Sequence, residues 1–172
     1  MNYFPDNIFN DVSYNSYSSF LSEMKHESIY EMRSESSKHF YRLLLMRAFN
    51  NPIVITIEIF DNDYGKLHYI EYNIGELFSK NEIVIESYVN LSPEDVNNLY
   101  YVINEFDFWN APSKNPYPTG LDGSNWIIEG LNNCKYHFIE RWMPLRKDNV
   151  AAGIGLCMLG LSKIKIDIVY LY

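Results

Sequence analysis

Apolar and polar residues alternate most regularly between residues 53 and 89. Residues 53–60 are β-branched and alternating, residues 61–65 are turn formers, and residues 66–73 alternate again. This pattern predicts a β-hairpin, because successive side chains of a strand point to its two faces in turn. Residues 82–89 repeat the alternation and predict another strand.

A second hairpin is predicted towards the C-terminus. Its arms are residues 126–131 and 135–142, with the turn at residues 132–133, where Asn tolerates the left-handed conformation that such turns need. A short strand is predicted for residues 164–171. Residues 39–49 are almost continuously apolar, a pattern that fits a helix and a strand equally well.

Helical spacing of apolar positions occurs in three places. It predicts helices over residues 16–32, from Ser92 onward and over residues 149–161. Ser92 stands at the N-cap position with Pro93 directly after it, the residue order that begins a helix. Residues 1–15, rich in Asn, Asp, Ser and Tyr, are expected to form a loosely held N-terminal arm.

The order of these elements indicates the fold class. Strands follow one another in hairpins and the helices are segregated from them, so we expect an α+β fold in which helices pack on an antiparallel β-sheet. A length of 172 residues is that of one ordinary domain. Residues 1–172 contain no repeat or low-complexity linker that would divide them, and we expect a single domain.

The charge of the chain narrows the classes of partner. Its formal net charge is −8 and its pI is near 4.9, so nucleic acid, whose phosphates would be repelled, is not an expected partner. A basic protein would be attracted, and its encounter with the chain accelerated. Acidity also keeps proteins soluble, and that simpler interpretation stays open.

Signals for export, membrane insertion and cofactor binding are not found in the sequence. The N-terminus lacks the basic and apolar regions of a signal peptide, and the longest apolar run, residues 150–161, is too short to span a bilayer. These features favour a cytoplasmic protein without membrane contact. Cys134 and Cys157 lack metal-ligand spacing, and the glycines form no phosphate-binding loop, so we expect no metal and no cofactor.

The most distinctive motifs lie in the second half of the chain. In order they are Phe108-Trp109, the stretch from Gly120 to Trp126, Glu129-Gly130, Tyr136-His137 and Arg141-Trp142-Met143-Pro144. Upstream of them stand Arg42, Leu44, Arg47, Phe49 and Pro52.

Together these residues resemble an uncharacterised bacterial family with the motifs F-W, G-L-D-G-x-x-W-x-x-E-G, Y-H-x-x-x-R-W-x-P and R-x-L-x-x-R-x-F-x-x-P. The resemblance covers about residues 39–161. It implies no catalytic residues, because the family has no settled activity. The chain departs from the family at Cys134, where the family tends to have Gly in the hairpin turn.

The second hairpin would divide these motif residues between its two faces. With a loop of two or four residues, one face carries Glu129, Tyr136, Phe138 and Trp142, and the other carries Trp126, Ile128, His137 and Arg141. A Glu among aromatic side chains is desolvated and needs a cation, for which Arg42 and Arg47 are candidates. Alternatively, Glu129 has a raised pKa and acts as an acid or base.

The opposite face of the hairpin offers a different chemistry. His137 and Arg141 could together hold an anion, and Trp126 could stack on a base or sugar. An Arg beside a Trp, however, is more often a cation–π pair that stabilises a sheet.

Three hypotheses for the function follow. The first is a non-enzymatic protein-binding module, specifically an immunity protein or antitoxin that neutralises a bacterial toxin domain with a basic surface. Small size, acidity and an aromatic content of 16% fit this role. The second is a small-molecule-binding protein or enzyme with Trp126, Glu129, His137 and Arg141 in a cleft under residues 111–123. The third is a subunit that acts by self-association.

For the immunity hypothesis, the interface residues are expected to be acidic side chains with exposed aromatic neighbours. They form two predicted patches, one near the first hairpin and one around the proline-rich loop. The first consists of Asp61, Asp63, Tyr64, Glu71 and Glu86, and the second of Asp107, Tyr117 and Asp122.

Overall fold

A computed structural model describes residues 2–6, 11–34, 39–73, 82–114, 116, 120 and 122–171 of the chain. Within these ranges the α-helices are α1 (Asp11–Glu23), α2 (Pro93–Glu105), α3 (Pro144–Lys147) and α4 (Asn149–Leu161). The β-strands are β1 (His39–Arg47), β2 (Ile53–Ile59), β3 (Gly65–Asn73), β4 (Glu82–Leu91), β5 (Ser124–Asn132) and β6 (Lys135–Trp142). Single 3₁₀ turns occupy Glu31–Ser34, Phe108–Asn110 and Ile168–Leu171.

The strands form one six-stranded sheet in the order β4-β3-β2-β1-β5-β6, and every neighbouring pair is antiparallel. The two predicted hairpins, β2–β3 and β5–β6, are joined through β1, which pairs with β2 on one side and with β5 on the other. The ambiguous segment 39–49 is therefore the centre of the sheet. The predicted α+β class is confirmed.

The first face of the sheet is covered by α2 and α4. Its side chains include Tyr41 and Leu43 of β1, Ile55 of β2 and Trp126 of β5, all of which are fully buried. Burial on this scale supplies most of the favourable free energy of folding, at about 25 cal/mol per Å² of apolar surface. The face therefore forms the larger of the molecule's cores.

The second face is covered by the N-terminal part of the chain. Tyr3 and Phe4 pack with α1 against Leu44 of β1 and Phe138 of β6. Tyr3 and Phe4, assigned from the sequence to a loosely held arm, are instead buried. They have no helical or strand pattern of their own, and only the apolar surface of the sheet explains their order.

Three predicted boundaries differ from the structure. The first predicted helix, residues 16–32, runs from Asp11 to Glu23 instead, and the 3₁₀ turn that follows begins only at Glu31. Residues 164–171 form no strand and end in a 3₁₀ turn. The carbonyls of Tyr170 and Leu171 accept from Arg47 of β1 and Ser124 of β5, two strands that lie inside the sheet. The last hairpin turns at Asn133 and Cys134, whose φ angles are 48° and 64°; positive φ at both positions is what a two-residue hairpin loop requires.

Candidate functional site

Glu129 and Arg42 form an ion pair inside the molecule. Arg42 Nε and Nη2 lie 2.6 Å and 2.5 Å from Glu129 Oε2, and both residues are at most 1% exposed. The hydroxyl of Tyr136 donates to Glu129 Oε1 at 2.9 Å, and Arg42 Nη1 donates to the carbonyl of Glu27. The predicted pairing of Glu129 is confirmed for Arg42.

The contacts of Glu129 indicate that it stabilises the fold and does not act as an acid or base. Burial raises the pKa of Glu129, while the charge of Arg42 and the hydrogen bonds from Arg42 and Tyr136 lower it. Each Glu129 oxygen accepts a hydrogen bond from a neighbouring side chain. The residue is also 0% exposed, so a substrate cannot reach the carboxyl from solvent. Arg47, the other predicted partner, pairs with Glu71 instead.

Trp126, His137 and Arg141 lie on the first face, as the hairpin register predicted. Arg141 is buried, and its Nε lies 2.7 Å from Asp148 Oδ2 at the start of α4. Trp126 is fully buried and donates its indole N–H to Ser124 Oγ. His137 Nε2 donates to the carbonyl of Ala111 at 3.0 Å, and burial lowers the pKa of its ring.

The predicted cleft around Glu129, His137 and Arg141 is therefore not assembled. Glu129 pairs directly with Phe138 across the hairpin, whereas the neighbouring positions His137 and Arg141 point to the other side of the sheet. The indole of Trp126 is also closed off, because α4 covers it at Gly155. Part of the predicted roof, residues 111–123, lies outside the described ranges.

A row of polar side chains crosses the second face at one level. Glu129, Arg42, Thr56, His68 and Tyr88 are successive cross-strand partners on β5, β1, β2, β3 and β4. Four interstrand spacings of about 4.8 Å give this polar row a length of roughly 19 Å. On β1 the row is flanked by the apolar residues Phe40 and Leu44, and on β2 by Val54 on one side and Glu58 on the other.

A pocket of about 260 Å³ lies over the middle of the polar row. Its floor includes Arg42, Thr56 and His68, and its roof is the segment 24–32 that follows α1. His26 reaches into the pocket from the roof, with its ring 5.9 Å from the ring of His68. Burial, followed by the charges of Arg42 and His68, lowers the pKa of His26 from 6.5 to about 3.

The outer end of the row is aromatic and more open. The rings of His68 and Tyr88 are stacked with centroids 4.3 Å apart and planes inclined by 7°. Both donate to one carboxylate oxygen of Glu86, at 2.9 Å from His68 and 2.8 Å from Tyr88. These hydrogen bonds lower the pKa of Glu86.

Sequence reasoning did not find this pocket. The alternation within residues 53–60 places Thr56 and Glu58 on one face. This pattern alone could have indicated two polar positions on a buried face. The register of β1 between β2 and β5, which brings Arg42 beside Thr56, joins residues far apart in the chain and has no local signature.

The predicted partner-binding residues do not form two compact patches. Asp61, Asp63 and Tyr64 are exposed together in the β2–β3 turn. Glu86 is also exposed, but Glu71 is paired with Arg47 on the opposite face of the sheet.

The second predicted patch is likewise divided. Asp107 and Asp122 are exposed, but they lie near opposite ends of β5. Asp107 adjoins Phe108, which packs on Gly130 late in the strand, and Asp122 precedes Ser124, its first residue. Six residues of strand correspond to roughly 20 Å. Tyr117 falls outside the described residues.

The outer edge of β4 is the most distinctive exposed feature. β4 is ten residues long and ends the sheet, and no strand in the described part of the chain pairs with its outer side. Ile83, Val84 and Ile85 are consecutive and 47%, 51% and 37% exposed, and Tyr88 is 56% exposed. Long apolar edge strands are templates for pairing with another chain.

Comparison with models of known protein families finds no match. A search of curated proteins likewise finds no relative of the chain. The resemblance to an uncharacterised bacterial family therefore stays a prediction.

The residues that the structure describes contain no group of three or more His, Cys, Asp or Glu side chains suited to holding a metal ion. No helix among them has the length and apolar character needed to cross a membrane.

Proposed function

We propose that this chain is a non-enzymatic protein-binding module, an immunity protein that neutralises a bacterial toxin domain with a basic surface. The observation that carries the proposal is the exposed apolar edge of β4. Its apolar residues Ile83, Val84 and Ile85 stand between the exposed acids Glu82 and Glu86. An apolar centre with a charged rim is the usual anatomy of a protein interface.

The edge suits a partner that presents an extended segment. A strand added beside β4 would pair with its outward-facing backbone N–H and C=O groups, and side chains on alternate positions would give specificity. Natural proteins usually protect such an edge with Lys, Pro or a covering element. In β4 the outward-facing charges are acidic instead, which favours a basic partner over self-pairing.

The acidic turn of the first hairpin extends the same surface. Gly65, which follows Asp61, Asp63 and Tyr64, pairs with Leu91 at the far end of β4. The turn therefore lies beside the end of the edge strand. Together the turn and the edge form an acidic, aromatic surface for a partner of protein size.

Co-expression with the product of the neighbouring gene tests the proposal. We expect that product to be toxic alone and harmless when this chain is present. Ile83→Lys together with Ile85→Lys should abolish the protection, because the two charges block strand addition. Leu156→Lys, at an exposed position on α4, is the matched control and should protect fully.

A neighbouring product that is harmless alone, or that stays toxic in the presence of this chain, overturns the immunity function. If the Ile83→Lys/Ile85→Lys variant protects as well as the unmodified chain, the interface does not lie at the β4 edge. Circular dichroism of each variant checks that the fold is kept.

A further inference from the structure

We infer that the pocket over the polar row is a binding site for a small carboxylate with a flat apolar body. This site is separate from the predicted cleft around Glu129, His137 and Arg141. It shares Tyr88 with the protein interface proposed for β4, but it does not involve the apolar residues Ile83, Val84 and Ile85 of that interface. The inference starts from two polar atoms on the pocket walls.

His26 Nε2 and Thr56 Oγ1 are buried and have no hydrogen-bond partner within the protein. They approach the pocket from its roof and its floor. Buried polar atoms are almost always hydrogen-bonded, and an unmade bond costs about 1–3 kcal/mol. A ligand that bonds both atoms would remove this cost, so the pair provides a reason for the pocket to be occupied.

The available chemistry favours an acceptor. The Thr56 hydroxyl can donate, and neutral His26 can donate from Nε2 in one of its two tautomers. Arg42 lies on the same floor, and its charge is one of the causes that keep His26 neutral. A carboxylate would accept from both side chains and would lie beside the guanidinium of Arg42, whose charge is paired with Glu129.

Glu27 and Glu58 line the pocket, and Glu86 and Glu129 lie beside it. Glu58 lies opposite Lys66 on the neighbouring strand, and Glu86 accepts from His68 and Tyr88. Glu129 is engaged by Arg42 and Tyr136 behind the floor. None of these carboxylates accepts a hydrogen bond from His26 Nε2 or Thr56 Oγ1.

Apolar side chains line part of the pocket, beside the charged residues Lys25, Glu27, Glu58 and Lys66, and the pocket volume sets the size of the ligand. Met24, Ile29, Met32 and Phe40 line it together with the stacked rings of His68 and Tyr88. A flat ring would pack against such walls. The volume of about 260 Å³ lies just below the range of roughly 300–1,000 Å³ for drug-sized ligands, so the ligand is a small metabolite.

Benzoate is a suitable probe, with benzyl alcohol as the neutral analogue of the same size. Each is titrated into isotopically labelled protein while the NMR signals of the His26 ring and the Thr56 methyl group are followed. We expect saturable shifts with benzoate, and binding at least about tenfold weaker for benzyl alcohol, the factor expected for a hydrogen bond to a charged group.

Two variants test the residues that carry the inference. Thr56→Val keeps the shape of the side chain and removes the hydroxyl, so it should weaken benzoate binding about tenfold or more without lowering the melting temperature. His26→Phe should weaken benzoate binding similarly. The control is His39→Phe, since the His39 ring lies outside the pocket and contacts Asn133; this variant should bind benzoate like the unmodified protein.

Three results would overturn the inference. These are no saturable shift with benzoate up to tens of millimolar, equal affinity for benzyl alcohol, or unchanged benzoate affinity in both pocket variants. The Ile83→Lys/Ile85→Lys variant should bind benzoate normally even where it no longer protects against the toxin. Loss of benzoate binding and loss of protection therefore test the two proposals separately.

Discussion

The indole ring of Trp126 lies directly against the backbone of Gly155 in α4. A Cβ atom at position 155 would come within 2.3 Å of Trp126 Cζ3, a distance that no relaxed structure allows. Glycine is therefore required there by the close approach of helix and sheet. Because the helix covers the Trp126 ring, a base or sugar cannot stack on it as the sequence suggested.

Two glycines of the same helix should respond in opposite ways to substitution by alanine. Gly155→Ala should lower the free energy of unfolding by about 1–3 kcal/mol, the usual cost of overpacking a core. Gly160→Ala, where a Cβ meets nothing within 4 Å, should raise it by up to about 1 kcal/mol through helix propensity. Urea unfolding of both variants measures the two values, and equal effects would contradict the packing argument.

The Arg42–Glu129 pair should be far more costly to break than to replace. Glu129→Gln leaves a buried guanidinium without its counter-charge and should lower the free energy of unfolding by about 3–5 kcal/mol. Arg42→Met/Glu129→Leu removes both charges and should cost much less than the sum of the single changes. A double variant as unstable as that sum would show that the ion pair adds no coupling.

The exposed Glu86 supplies the control for this comparison. Glu86→Gln removes a charge at the surface, beside His68 and Tyr88. Exposed ion pairs contribute little to stability, so the melting temperature should hardly change. A loss as large as that for Glu129→Gln would show that burial is not the cause of the difference.

His26 should make the protein less stable in acid. Its pKa is lowered from 6.5 to about 3 in the folded protein, so between these values the unfolded chain binds a proton that the folded chain does not. Stability contributed by the neutral ring is present above about pH 6.5 and is lost as the pH falls towards 3, at up to about 1.4 kcal/mol per pH unit.

His26→Phe should therefore flatten this part of the stability profile. Urea unfolding between pH 4 and pH 7 would compare the variant with the unmodified protein, and the difference in unfolding free energy should change with pH. His39→Phe, which removes an imidazole outside the pocket, is the matched control. A His26→Phe profile parallel to that of the unmodified protein would contradict the lowered pKa of His26.

The proposed interface predicts a division between association and dissociation rates. Asp61→Lys/Asp63→Lys should mainly slow association with the toxin domain, and the effect should shrink as salt rises, because exposed charges are screened beyond about 8–10 Å. Tyr88→Ala should mainly speed dissociation and cost roughly 2 kcal/mol or more of binding free energy. Stopped-flow or surface plasmon resonance kinetics separate the two effects.

A control variant distinguishes this surface from general electrostatics. Asp107→Lys reverses an exposed charge near the other end of the sheet order, beside β5 and β6. Its association rate should fall less than that of the Asp61→Lys/Asp63→Lys variant. Equal slowing would indicate attraction by net charge alone, without the β4 edge.

Local sequence patterns determined most elements of this protein and its fold class, but they left residues 39–49 undecided and wrongly predicted a strand over residues 164–171. Period-two alternation identified β2, β3 and β4, because successive side chains of a strand point to opposite faces. The Ser92 cap identified the start of α2, where Asp95 completes the capping box. The same alternation correctly assigned Glu129 and Arg141 to opposite faces of the last hairpin, and burial then required a cation for Glu129.

Only the tertiary structure decided what these elements bring together. Arg42, and not Arg47, pairs with Glu129 because β1 lies between β2 and β5 in a register that sets Arg42 opposite Glu129. This pairing joins distant segments, and no local pattern encodes it. The same pairing places Thr56 beside Arg42, and the path of residues 24–32 then brings His26 over both. Strand order and chain crossing are set by how all the apolar faces are buried at once, so the pocket, unlike the strands, is a property of the whole fold.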